Sequence, residues 1–349
     1  MVKIFVIGAT GYIGGDALFV IAEKHPEYEF TALVRNSEKG ALVAARYPKI
    51  RLVYGDLDSS DLLTEEAEKA DIVAHWANAD HVGAAKALVK GLSSRSTPGY
   101  LIHTSGTGIL GVIDKLDGTP AGTENPKVYD DWDGIGEVIT LPSFAAHRNV
   151  DEIILAASKT ASNVKTAIVC PPTIYGPGRG VGNTDSDQWY HMARISIERG
   201  KGFHVGEGKN VWTQVHVQDL SKIYLSLVEA AANGGTGATW NDEGYYLAEA
   251  GEYVWGEMAK KLAQEAVKQG YLQTDELESV TTDEADKLSP WGSMRWGTNS
   301  RGRAIRARKL FGWEPTGDSP EKIIPDIITG QAEKLGLKVG HALVAAGDA

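Results

Sequence analysis

The sequence predicts an α/β protein in which a Rossmann-type, doubly wound parallel sheet is joined to a smaller C-terminal α/β substrate lobe. Two observations lead to this fold class. Over the first 170 residues, short runs rich in β-branched residues alternate with helical patterns, which is typical of parallel βαβ units. The first run leads directly into the glycine-rich segment VIGATGYIGG (6–15), where a helical pattern begins.

Six runs of this kind are the predicted strands. They are VKIFVIG (2–8), YEFTALVR (28–35), RLVYGD (51–56), ADIVAHWA (70–77), GYLIHTS (99–105) and VKTAIVCPP (164–172). Residues 106–141 are rich in Gly, Pro, Asp and Asn, which predicts a long loop near the site. Beyond Tyr175 the pattern predicts a helix near 187–199, a strand at WTQVHV (212–217) and a helix from Asp219 to about residue 232.

Composition and charge narrow the classes of function. The chain has 349 residues, of which 42% are hydrophobic, and carries a formal net charge of −11. Such a chain lacks the basic excess that neutralises a phosphate backbone or an anionic membrane, so we expect neither nucleic acid nor a membrane as a partner. No apolar run approaches the roughly 20 residues of a membrane helix, and the N-terminal strand leaves no room for a signal peptide.

Cysteine content bears on the cellular compartment. The single cysteine, Cys170, cannot form an intrachain disulfide or a thiolate metal cluster. We therefore predict a reducing, cytoplasmic environment and no metal site.

The glycine-rich segment has the spacing of a dinucleotide-binding loop. Gly8 permits a tight turn, Gly11 lets the backbone approach a pyrophosphate, and Gly14 lies at the start of the helix. The helix N-terminus then offers free amide donors to the anion. The cofactor-binding residues predicted in this loop are Gly8, Thr10, Gly11, Tyr12, Ile13 and Gly14.

Arg35 indicates which dinucleotide is bound. It ends the second predicted strand, 27 residues after Gly8, where the fold would meet the adenosine ribose. A carboxylate there would accept hydrogen bonds from the ribose hydroxyls, whereas a guanidinium pairs with a 2′-phosphate, so NADP is preferred over NAD. Lys39 is a weaker second cation. Further predicted cofactor contacts are Asp56 and Leu57 in GDLD (55–58), and Ala77 and Asn78 in HWANADH (75–81).

Six segments carry a family resemblance over most of the chain. In order, they are GATGYIGG, GDLD, VAHWANADH, CPPTIYGPG, VHVQDL and LFGWEP. Together they resemble the extended short-chain dehydrogenase/reductase superfamily, also described as the NAD-dependent epimerase/dehydratase family. The resemblance implies an NAD(P)-binding Rossmann domain and a C-terminal substrate lobe, with Cys170, Pro171 and Thr173 at the nicotinamide end.

The resemblance also bears on domain organisation. We expect residues 1–175 to form an NADP-binding Rossmann domain that also receives segments from about 203–235. Residues 176–349 would form mostly the interleaved substrate-binding lobe, with GHALVAAGDA (340–349) as a tail. Family members commonly form homodimers through helices that include residues 144–158, although the apolar face of this helix could equally be buried within the monomer.

The proton-transfer residues of that family are replaced in this chain. The family uses a Ser or Thr with a Tyr-x-x-x-Lys pair, in which the lysine lowers the tyrosine pKa and holds the nicotinamide ribose. The matching frame here has Phe144 for the tyrosine and Arg148 for the lysine. Phenylalanine has no proton to donate, and an arginine can bind the ribose hydroxyls but is a poor proton relay. Either an unusual acid operates or the family's carbonyl chemistry has been dropped.

Two residues are candidates for a replacement acid. His147, three residues from Phe144 on the predicted helix, titrates in a range suited to proton donation, although such a histidine often only packs or caps. Tyr129, in the long loop, could bring a phenol into the site, but Asp130 and Asp131 beside it raise a tyrosine pKa.

Two hydroxyls follow the fifth predicted strand. Ser105 and Thr107, in HTSGTG (103–108), match the family's Ser/Thr neighbourhood, where a hydroxyl would polarise a substrate oxygen. The sequence does not fix the loop register, so both remain candidates. In VHVQDL (215–220), we expect His216 and Asp219 to be a structural pair that caps the following helix.

Tryptophans indicate the class of substrate. Nucleotide-sugar members of the family generally place an arginine four residues before the histidine of VHVQDL, and this chain has Trp212 there. An indole suits an aromatic or polycyclic small molecule better than a diphosphate. Trp76, Trp132 and Trp189 would complete an aromatic-lined pocket, unless they are ordinary core residues.

The function predicted from the sequence is an NADP-dependent oxidoreductase of the extended short-chain type, acting on an aromatic or polycyclic small molecule without the usual Tyr-x-x-x-Lys pair. Two alternatives stay open. One is a nucleotide-sugar epimerase or dehydratase, which Phe144 and Trp212 disfavour. The other is a non-catalytic NADP-binding sensor or regulator, in which the pocket survives and the chemistry does not.

Overall fold

The computed structural model describes residues 1–337; residues 338–349, which include the predicted tail, lie outside the described residues. Within 1–337 the strands are β1 (Lys3–Ile7), β2 (Glu29–Val34), β3 (Arg51–Tyr54), β4 (Ile72–His75), β5 (Gly99–Thr104), β6 (Tyr129–Asp130), β7 (Val164–Cys170), β8 (Thr173–Tyr175), β9 (Gly202–Val205), β10 (Val211–His216), β11 (Tyr245–Leu247), β12 (Glu252–Val254), β13 (Leu277–Val280) and β14 (Gly302–Arg303). The helices are α1 (Tyr12–Lys24), α2 (Ser37–Arg46), α3 (Ser60–Lys69), α4 (Val82–Ser93), α5 (Val112–Asp117), α6 (Ile135–Val138), α7 (Arg148–Thr160), α8 (Gln188–Arg199), α9 (Val217–Ala232), α10 (Trp255–Lys268), α11 (Thr282–Leu288), α12 (Gly292–Gly297), α13 (Ile305–Phe311) and α14 (Pro320–Lys334).

The main sheet has seven parallel strands in the order β11-β7-β5-β4-β1-β2-β3. All six strands predicted from the sequence belong to it, and the doubly wound Rossmann-type fold is confirmed. Central strands such as β4 and β5 are buried along their whole length. A parallel sheet covered by helices on both faces requires such continuous burial, which explains the unbroken apolar runs in the sequence.

Two later parts of the chain complete the main core. Helix α9 packs its apolar face, including Leu220 and Leu227, into this core. Strand β11 adds to the sheet edge beside β7, and Trp313 is buried in the same core. The segments that return to the Rossmann core therefore extend beyond the expected 203–235, while the domain boundaries themselves stay a prediction.

The second lobe has its own core of large aromatic side chains. Trp189, Trp255, Trp296 and Phe203 are fully buried there. Its strands form a three-stranded sheet, β12-β10-β8, and a separate pair, β13-β9. Strand β9 lies inside the span expected to return to the Rossmann domain, but it pairs with β13 and packs in this second core.

The helix expected to include residues 144–158 begins later than expected. Residues 144–147 form turns, with hydrogen bonds from the amides of Ala145 and Arg148 to the carbonyls of Pro142 and Ala145. Helix α7 starts at Arg148, and its N-cap residue, His147, has a φ of 63°. This left-handed backbone cannot continue a right-handed helix toward the N-terminus. Phe144 and Arg148 therefore do not share one helical face.

Asp131 connects three distant segments of the main core. Its Oδ2 accepts a hydrogen bond from the amide of Leu247 (2.9 Å), and its Oδ1 accepts from the amides of Ile305 and Arg306 (2.8 Å each). The side chain is fully buried, and burial raises its pKa to about 6. This carboxylate thus holds β11 and the start of α13 against the long loop.

We expect Asp131→Ala to lower the free energy of unfolding by roughly 3 kcal/mol, because two buried amides and one partly buried amide lose their acceptor. Urea denaturation followed by circular dichroism measures this change. Asp133→Ala, an exposed neighbour, is the matched control and should change stability by less than about 0.5 kcal/mol. Equal effects of the two substitutions would contradict the role assigned to Asp131.

Candidate active site

A cleft of about 510 Å³ lies at the carboxyl ends of the central strands. Gly8 forms its floor with a φ of 100°, and a Cβ at this position would lie 2.7 Å from the carbonyl carbon of Trp76. A Cβ at Gly14 would collide with the carbonyl oxygen of Gly8. Both positions therefore require glycine, and the backbone of the loop is open to a ligand at close range.

The start of α1 provides the anion-binding end of this cleft. Gly11 is the N-cap residue and has no side chain that could accept hydrogen bonds from the first amides of the helix. These amides and the helix dipole attract a phosphate group. The glycine turn, the open helix N-terminus and the cleft volume together fit a dinucleotide.

Most of the predicted cofactor residues meet in this cleft. Those that line it are Gly8, Thr10, Gly11, Arg35, Asp56, Leu57, Ala77 and Asn78, together with Lys39. Ile13 lies one step further along and lines the neighbouring cavity. Tyr12 turns away and donates a hydrogen bond to the carbonyl of Gly176 (2.5 Å). Gly14 acts through its close contact with Gly8 rather than by lining the cleft.

A second glycine-rich segment, GPGRGVGN (176–183), covers the loop. The amide of Asn183 donates to the carbonyl of Thr10 (3.0 Å), and Asn183 also lines the cleft. Buried Asp16 fixes this segment by accepting hydrogen bonds from the Arg179 guanidinium (2.7 and 2.9 Å). Sequence reasoning missed Asn183, although the dense glycines around it were a signal for close backbone packing.

A larger cavity of about 750 Å³ continues from Ile13 into the second lobe. Its lining comprises Ile13, Asp80, Ser105, Gly106, Thr107, Gly108, Phe144, Ala146, His147, Pro171, Pro172, Ile174, Ser186, Asp187, Gln188, Trp212, Trp291, Met294 and Arg295. The structure therefore brings together three of the predicted catalytic residues, Ser105, Thr107 and His147. Pro171 is the one of the three predicted nicotinamide-end residues that lines the cavity.

His147 is held by a carboxylate at the cavity wall. Its Nδ1 lies 2.8 Å from Oδ1 of Asp80, and the hydrogen bond lowers the pKa of Asp80. The ring lies against the glycine turn after β5, where a Cβ at Gly106 would come within 3.0 Å of Nε2. A carboxylate that orients one ring nitrogen leaves the other to exchange a proton, as in other acid–base sites.

Backbone strain is concentrated around this cavity. Within residues 1–337, three residues other than glycine have a positive φ, and two of them, His147 (63°) and Trp291 (62°), line the cavity. Such conformations cost about 1–3 kcal/mol and persist where the surroundings enforce them. Here they project His147 and Trp291 into the same space.

Ser105 rests on a buried carboxylate. Its Oγ donates to Oδ2 of Asp151 (3.0 Å), which also accepts from the hydroxyl of Tyr245 (2.9 Å). Burial raises the pKa of Asp151 to about 6, and the two hydrogen bonds partly offset that effect. The amide of Asp151 donates to the carbonyl of His147 (3.1 Å), so the two residues lie one turn apart at the start of α7.

A histidine pair lies beneath this carboxylate. His75 and His103 are fully buried, and their Nδ1 atoms are 2.8 Å apart. Burial lowers the pKa of His75 to about 4 and that of His103 well below its usual range. The pair is therefore neutral, and Oδ1 of Asp151 faces Nε2 of His103 at 3.9 Å without forming a hydrogen bond.

Two predicted catalytic residues lie elsewhere. Arg148 is buried, donates to the carbonyl of Ile139 (2.6 Å) and pairs with Glu152, so its guanidinium does not reach the cavity. It cannot take the place of the family lysine, because the late helix start turns it away from the cavity. Tyr129 is buried in the short strand β6, and burial raises its pKa, so it does not act as a loop-borne acid.

Other predicted residues support the site from behind. Cys170 is fully buried, and burial raises the pKa of its thiol. Thr173 bonds to the hydroxyl of Tyr253 (2.7 Å) rather than lining the cavity. His216 caps α9 by accepting from the amide of Gln218 (3.2 Å), while Asp219 accepts from the amides of residues 316 and 317.

The aromatic lining of the large cavity is only partly the one expected. Trp212 lines it and donates to the carbonyl of Thr298 (2.6 Å). Trp189 is core, Trp132 lies outside the cavity, and Trp76 lines the dinucleotide cleft instead. The remaining aromatic walls are Phe144 and Trp291, which are 56% and 71% exposed. No sequence pattern distinguished Trp291, because a tryptophan in a turn carries no periodic signal.

The fold and the cleft are those of a dinucleotide-binding protein, and a second, larger cavity lies beside the cleft. Residues 2–95 match the NmrA-like family, and residues 122–241 match the NAD dependent epimerase/dehydratase family. The chain belongs to the NAD-dependent epimerase/dehydratase family, the extended branch of the short-chain dehydrogenases/reductases.

Three similar proteins illustrate this relationship. The oxidase ucsJ of Acremonium sp is 39% identical over 345 residues, which cover 96% of this chain and 99% of ucsJ. The dTDP-glucose 4,6-dehydratase of Bacillus anthracis, solved with NAD, superposes with a TM-score of 0.65 at 15% identity, covering 96% of this chain and 97% of the dehydratase. Vestitone reductase from alfalfa superposes with a TM-score of 0.59 at 16% identity, covering 96% and 99%.

The described residues contain neither a membrane-spanning helix nor a metal-binding cluster. Within 1–337 no helix combines the length and apolar character needed to cross a bilayer. No group of three or more His, Cys, Asp or Glu side chains in that range could hold a metal ion.

The raised pKa of Asp151 predicts a pH-dependent effect of Asp151→Asn. The folded-state pKa of about 6 exceeds the ordinary value of 3.8, so ionisation destabilises the fold as the pH rises from about 4 through 6. An asparagine at this position cannot ionise, and we expect the variant to gain up to about 3 kcal/mol over the wild type at pH 8 but little at pH 4. Urea denaturation at both pH values measures the difference.

Glu314→Gln, at an exposed carboxylate, is the matched control for this experiment. It should show no comparable gain at pH 8, since no buried charge is removed. If Asp151→Asn is less stable than the wild type at pH 8, the conclusion that ionisation of the buried Asp151 destabilises the fold is contradicted.

Proposed function

We propose that the protein is an NADP-dependent oxidoreductase that acts on an aromatic or polycyclic small molecule, with His147 as the proton-transfer residue. The observation that carries the proposal is that the Asp80–His147 pair lies in an aromatic-walled cavity directly beyond the dinucleotide cleft. A nicotinamide dinucleotide, when bound, supplies or accepts a hydride at the cavity end of the cleft. The curated relative with 39% identity is named an oxidase, which is consistent with redox chemistry.

His147 can perform the proton transfer that the missing tyrosine would have performed. Asp80 orients the ring and stabilises its charged form, while Nε2 exchanges a proton with the substrate oxygen. Ser105 and Thr107 line the same cavity beside His147. The carboxylate–histidine pair therefore replaces the function of Tyr-x-x-x-Lys with a different chemistry.

The cavity walls support an aromatic or polycyclic substrate over a nucleotide sugar. Phe144, Trp212 and Trp291 offer ring surfaces for stacking. Arg295 is the one arginine or lysine among the described lining residues, and it pairs with Asp187 at 3.0 Å. A diphosphate would find no unpaired guanidinium or ammonium group in this lining, which disfavours the epimerase or dehydratase alternative.

Arg35 and Lys39 support the choice of NADP. Both line the adenosine side of the cleft, and Asn36 between them caps α2 by accepting from the amide of Lys39 (2.9 Å). The cap fixes the start of the helix that carries Lys39 beside Arg35. The two side chains can therefore meet one phosphate group from neighbouring positions.

We expect Arg35→Ser to weaken NADP binding by about 10- to 100-fold and to leave NAD binding nearly unchanged, because a charge-assisted pair with the 2′-phosphate is lost. Isothermal titration calorimetry with each dinucleotide measures both affinities. Lys49→Ser removes an exposed cation outside the cleft and is the control for net charge. Equal losses for NADP and NAD would contradict the selectivity assigned to Arg35.

We expect His147→Gln to lower turnover by about 10²- to 10⁴-fold while NADP affinity stays within about twofold, because proton transfer is lost and the cofactor cleft is intact. Dinucleotide absorbance at 340 nm across a panel of aromatic alcohols, ketones and enones measures turnover. His25→Gln, at a surface histidine paired with Glu27 and Glu229, is the control.

Two results would overturn this assignment. Full turnover in His147→Gln would show that another group transfers the proton. Tight NADP binding with no turnover of any compound in the wild type would favour the sensor alternative.

Oligomeric state and location remain predictions. The apolar residues of α7, such as Val150 and Ile154, are buried in the main core of the monomer. The exposed residues of this helix include Asn149, Glu152 and Lys159, so a homodimer through α7 would have a polar interface. The proposed cytoplasmic location rests on the single cysteine.

A further inference from the structure

The hydrogen-bond partners of Ser105 and His147 determine where the hydrogen atoms on these two side chains lie. Ser105 Oγ lies 3.0 Å from Oδ2 of Asp151, and His147 Nδ1 lies 2.8 Å from Oδ1 of Asp80. An ionised carboxylate accepts hydrogen bonds and donates none. Each pair therefore places its hydrogen on the serine oxygen or on Nδ1, directed away from the cavity.

Both carboxylates are ionised at pH 8. The hydrogen bond from His147 lowers the pKa of Asp80. Burial raises the pKa of Asp151 only to about 6. The titratable, charged or hydroxyl-bearing groups around Asp151 are Ser105 and His103 on and after β5, Cys170 on β7, Tyr245 on β11, and His147 and Arg148 at the start of α7.

The residues packed beneath Asp151 do not change the direction of the hydrogen bonds that it accepts. His75 and His103 bond to each other through Nδ1 and are neutral, so they bring no positive charge to Asp151. Oδ1 of Asp151 has no hydrogen-bond partner within the described chain. Ser105 and Tyr245 are therefore the hydrogen-bond donors to this carboxylate, and neither hydroxyl hydrogen is free to turn away.

Ser105 Oγ and His147 Nε2 are then both hydrogen-bond acceptors toward the cavity. Ser105 Oγ offers lone pairs, and the His147 tautomer that carries its hydrogen on Nδ1 offers the lone pair of Nε2. A substrate carbonyl is also an acceptor and finds no donor in this pair. A substrate hydroxyl carries one hydrogen and can donate it to either of the two groups, whereas a carbonyl can donate to neither.

We propose that Asp151 is a positioning residue that fixes Ser105 as a hydrogen-bond acceptor, and that the cavity takes an aromatic or polycyclic alcohol for oxidation. This inference rests on the proposed oxidoreductase function and adds its substrate class and direction. Asp80 and Asp151 act alike, one on the histidine and one on the serine. Together they make the polar end of an apolar cavity an acceptor site.

The reaction balances with the groups named. The carbinol carbon loses a hydride to the oxidised nicotinamide dinucleotide, and the hydroxyl oxygen loses its proton to Nε2 of His147. The carbon–oxygen single bond becomes a carbonyl. The imidazolium that forms is stabilised by Asp80 and releases its extra proton to solvent.

The first test needs neither cofactor nor substrate. Nitrogen-15 NMR of the full chain with labelled histidine, assigned by difference from His147→Gln, reports which ring nitrogen carries a hydrogen. At pH 8 we expect a protonated Nδ1 and a bare Nε2. A hydrogen on Nε2, in either the neutral or the charged ring, would overturn the proposal, because His147 would then be a donor toward the cavity.

The second test compares a matched alcohol and ketone. The probes are 1-indanol and 1-indanone, titrated into the full chain saturated with NADP⁺ and followed by quenching of tryptophan fluorescence, since Trp212 and Trp291 line the cavity. We expect the alcohol to bind about tenfold more tightly, in line with one additional hydrogen bond. Equal binding or tighter binding of the ketone would overturn the proposal.

Variants of Asp151 separate positioning from folding. Asp151→Leu removes the acceptor and frees the Ser105 hydroxyl, so the preference for the alcohol should fall to about one. Asp151→Asn keeps an oxygen for Ser105 and places its amide toward His103, so the preference should persist. Tyr245→Phe removes the other donor to Asp151 and is the matched control, with the preference unchanged. A preference that is the same in all four proteins would assign Asp151 a purely structural role.

The outcomes distinguish this inference from the proposed function. Failure of NADP to bind in calorimetry would refute the oxidoreductase, while the tautomer of His147 would still report the polarity of the site. Tight NADP binding with a donor hydrogen on Nε2 would refute the acceptor site alone. If Asp151→Leu does not fold, the preference of the wild type for the alcohol and the tautomer of His147 still decide whether the cavity is an acceptor site, and loss of the preference in Asp151→Asn would still overturn the role of Asp151.

Discussion

The close contact between the Gly8 turn and the end of β4 sets the geometry of the whole cleft. With a φ of 100°, Gly8 brings the phosphate loop against the backbone of Trp76, where even a methyl group would collide. The chain beyond Trp76 then carries Ala77 and Asn78 into the dinucleotide cleft and Asp80 into the larger cavity. Cofactor binding and the orientation of His147 therefore depend on the same pair of adjacent, parallel strands.

The late start of α7 explains why Phe144 and Arg148 do not form the paired positions of the family's Tyr-x-x-x-Lys frame. If the helix had begun before residue 144, Phe144 and Arg148 would have occupied neighbouring positions on one face. The left-handed backbone at His147 ends that possibility and turns the imidazole toward the glycine turn after β5. Asp151, one helical turn later, accepts a hydrogen bond from Ser105. In the fold, His147 and Asp151 therefore lie three residues beyond Phe144 and Arg148, the positions at which the sequence motif would place the tyrosine and the lysine.

Burial gives the two carboxylates different tasks. Asp80 is half-buried at the cavity wall and can share charge with His147. Asp151 is enclosed beside two neutral histidines, and its hydrogen-bond donors are the hydroxyls of Ser105 and Tyr245. The cost of that burial is consistent with a site in which stability is given up for a fixed direction of hydrogen bonding.

The sequence by itself determined the parallel sheet, the phosphate loop and most of the residues that line the dinucleotide cleft. Those features are encoded in short segments, since strand patterns and glycine spacing act over a few residues. Only the tertiary structure decided the catalytic constellation: Asp80 and His147 are 67 residues apart, Ser105 and Asp151 46, and Asp151 and Tyr245 94. Hydrogen-bond partners at such distances depend on the packing of the whole sheet and on the start of one helix. Neither the packing of the sheet nor the start of that helix produces a periodic pattern in the sequence.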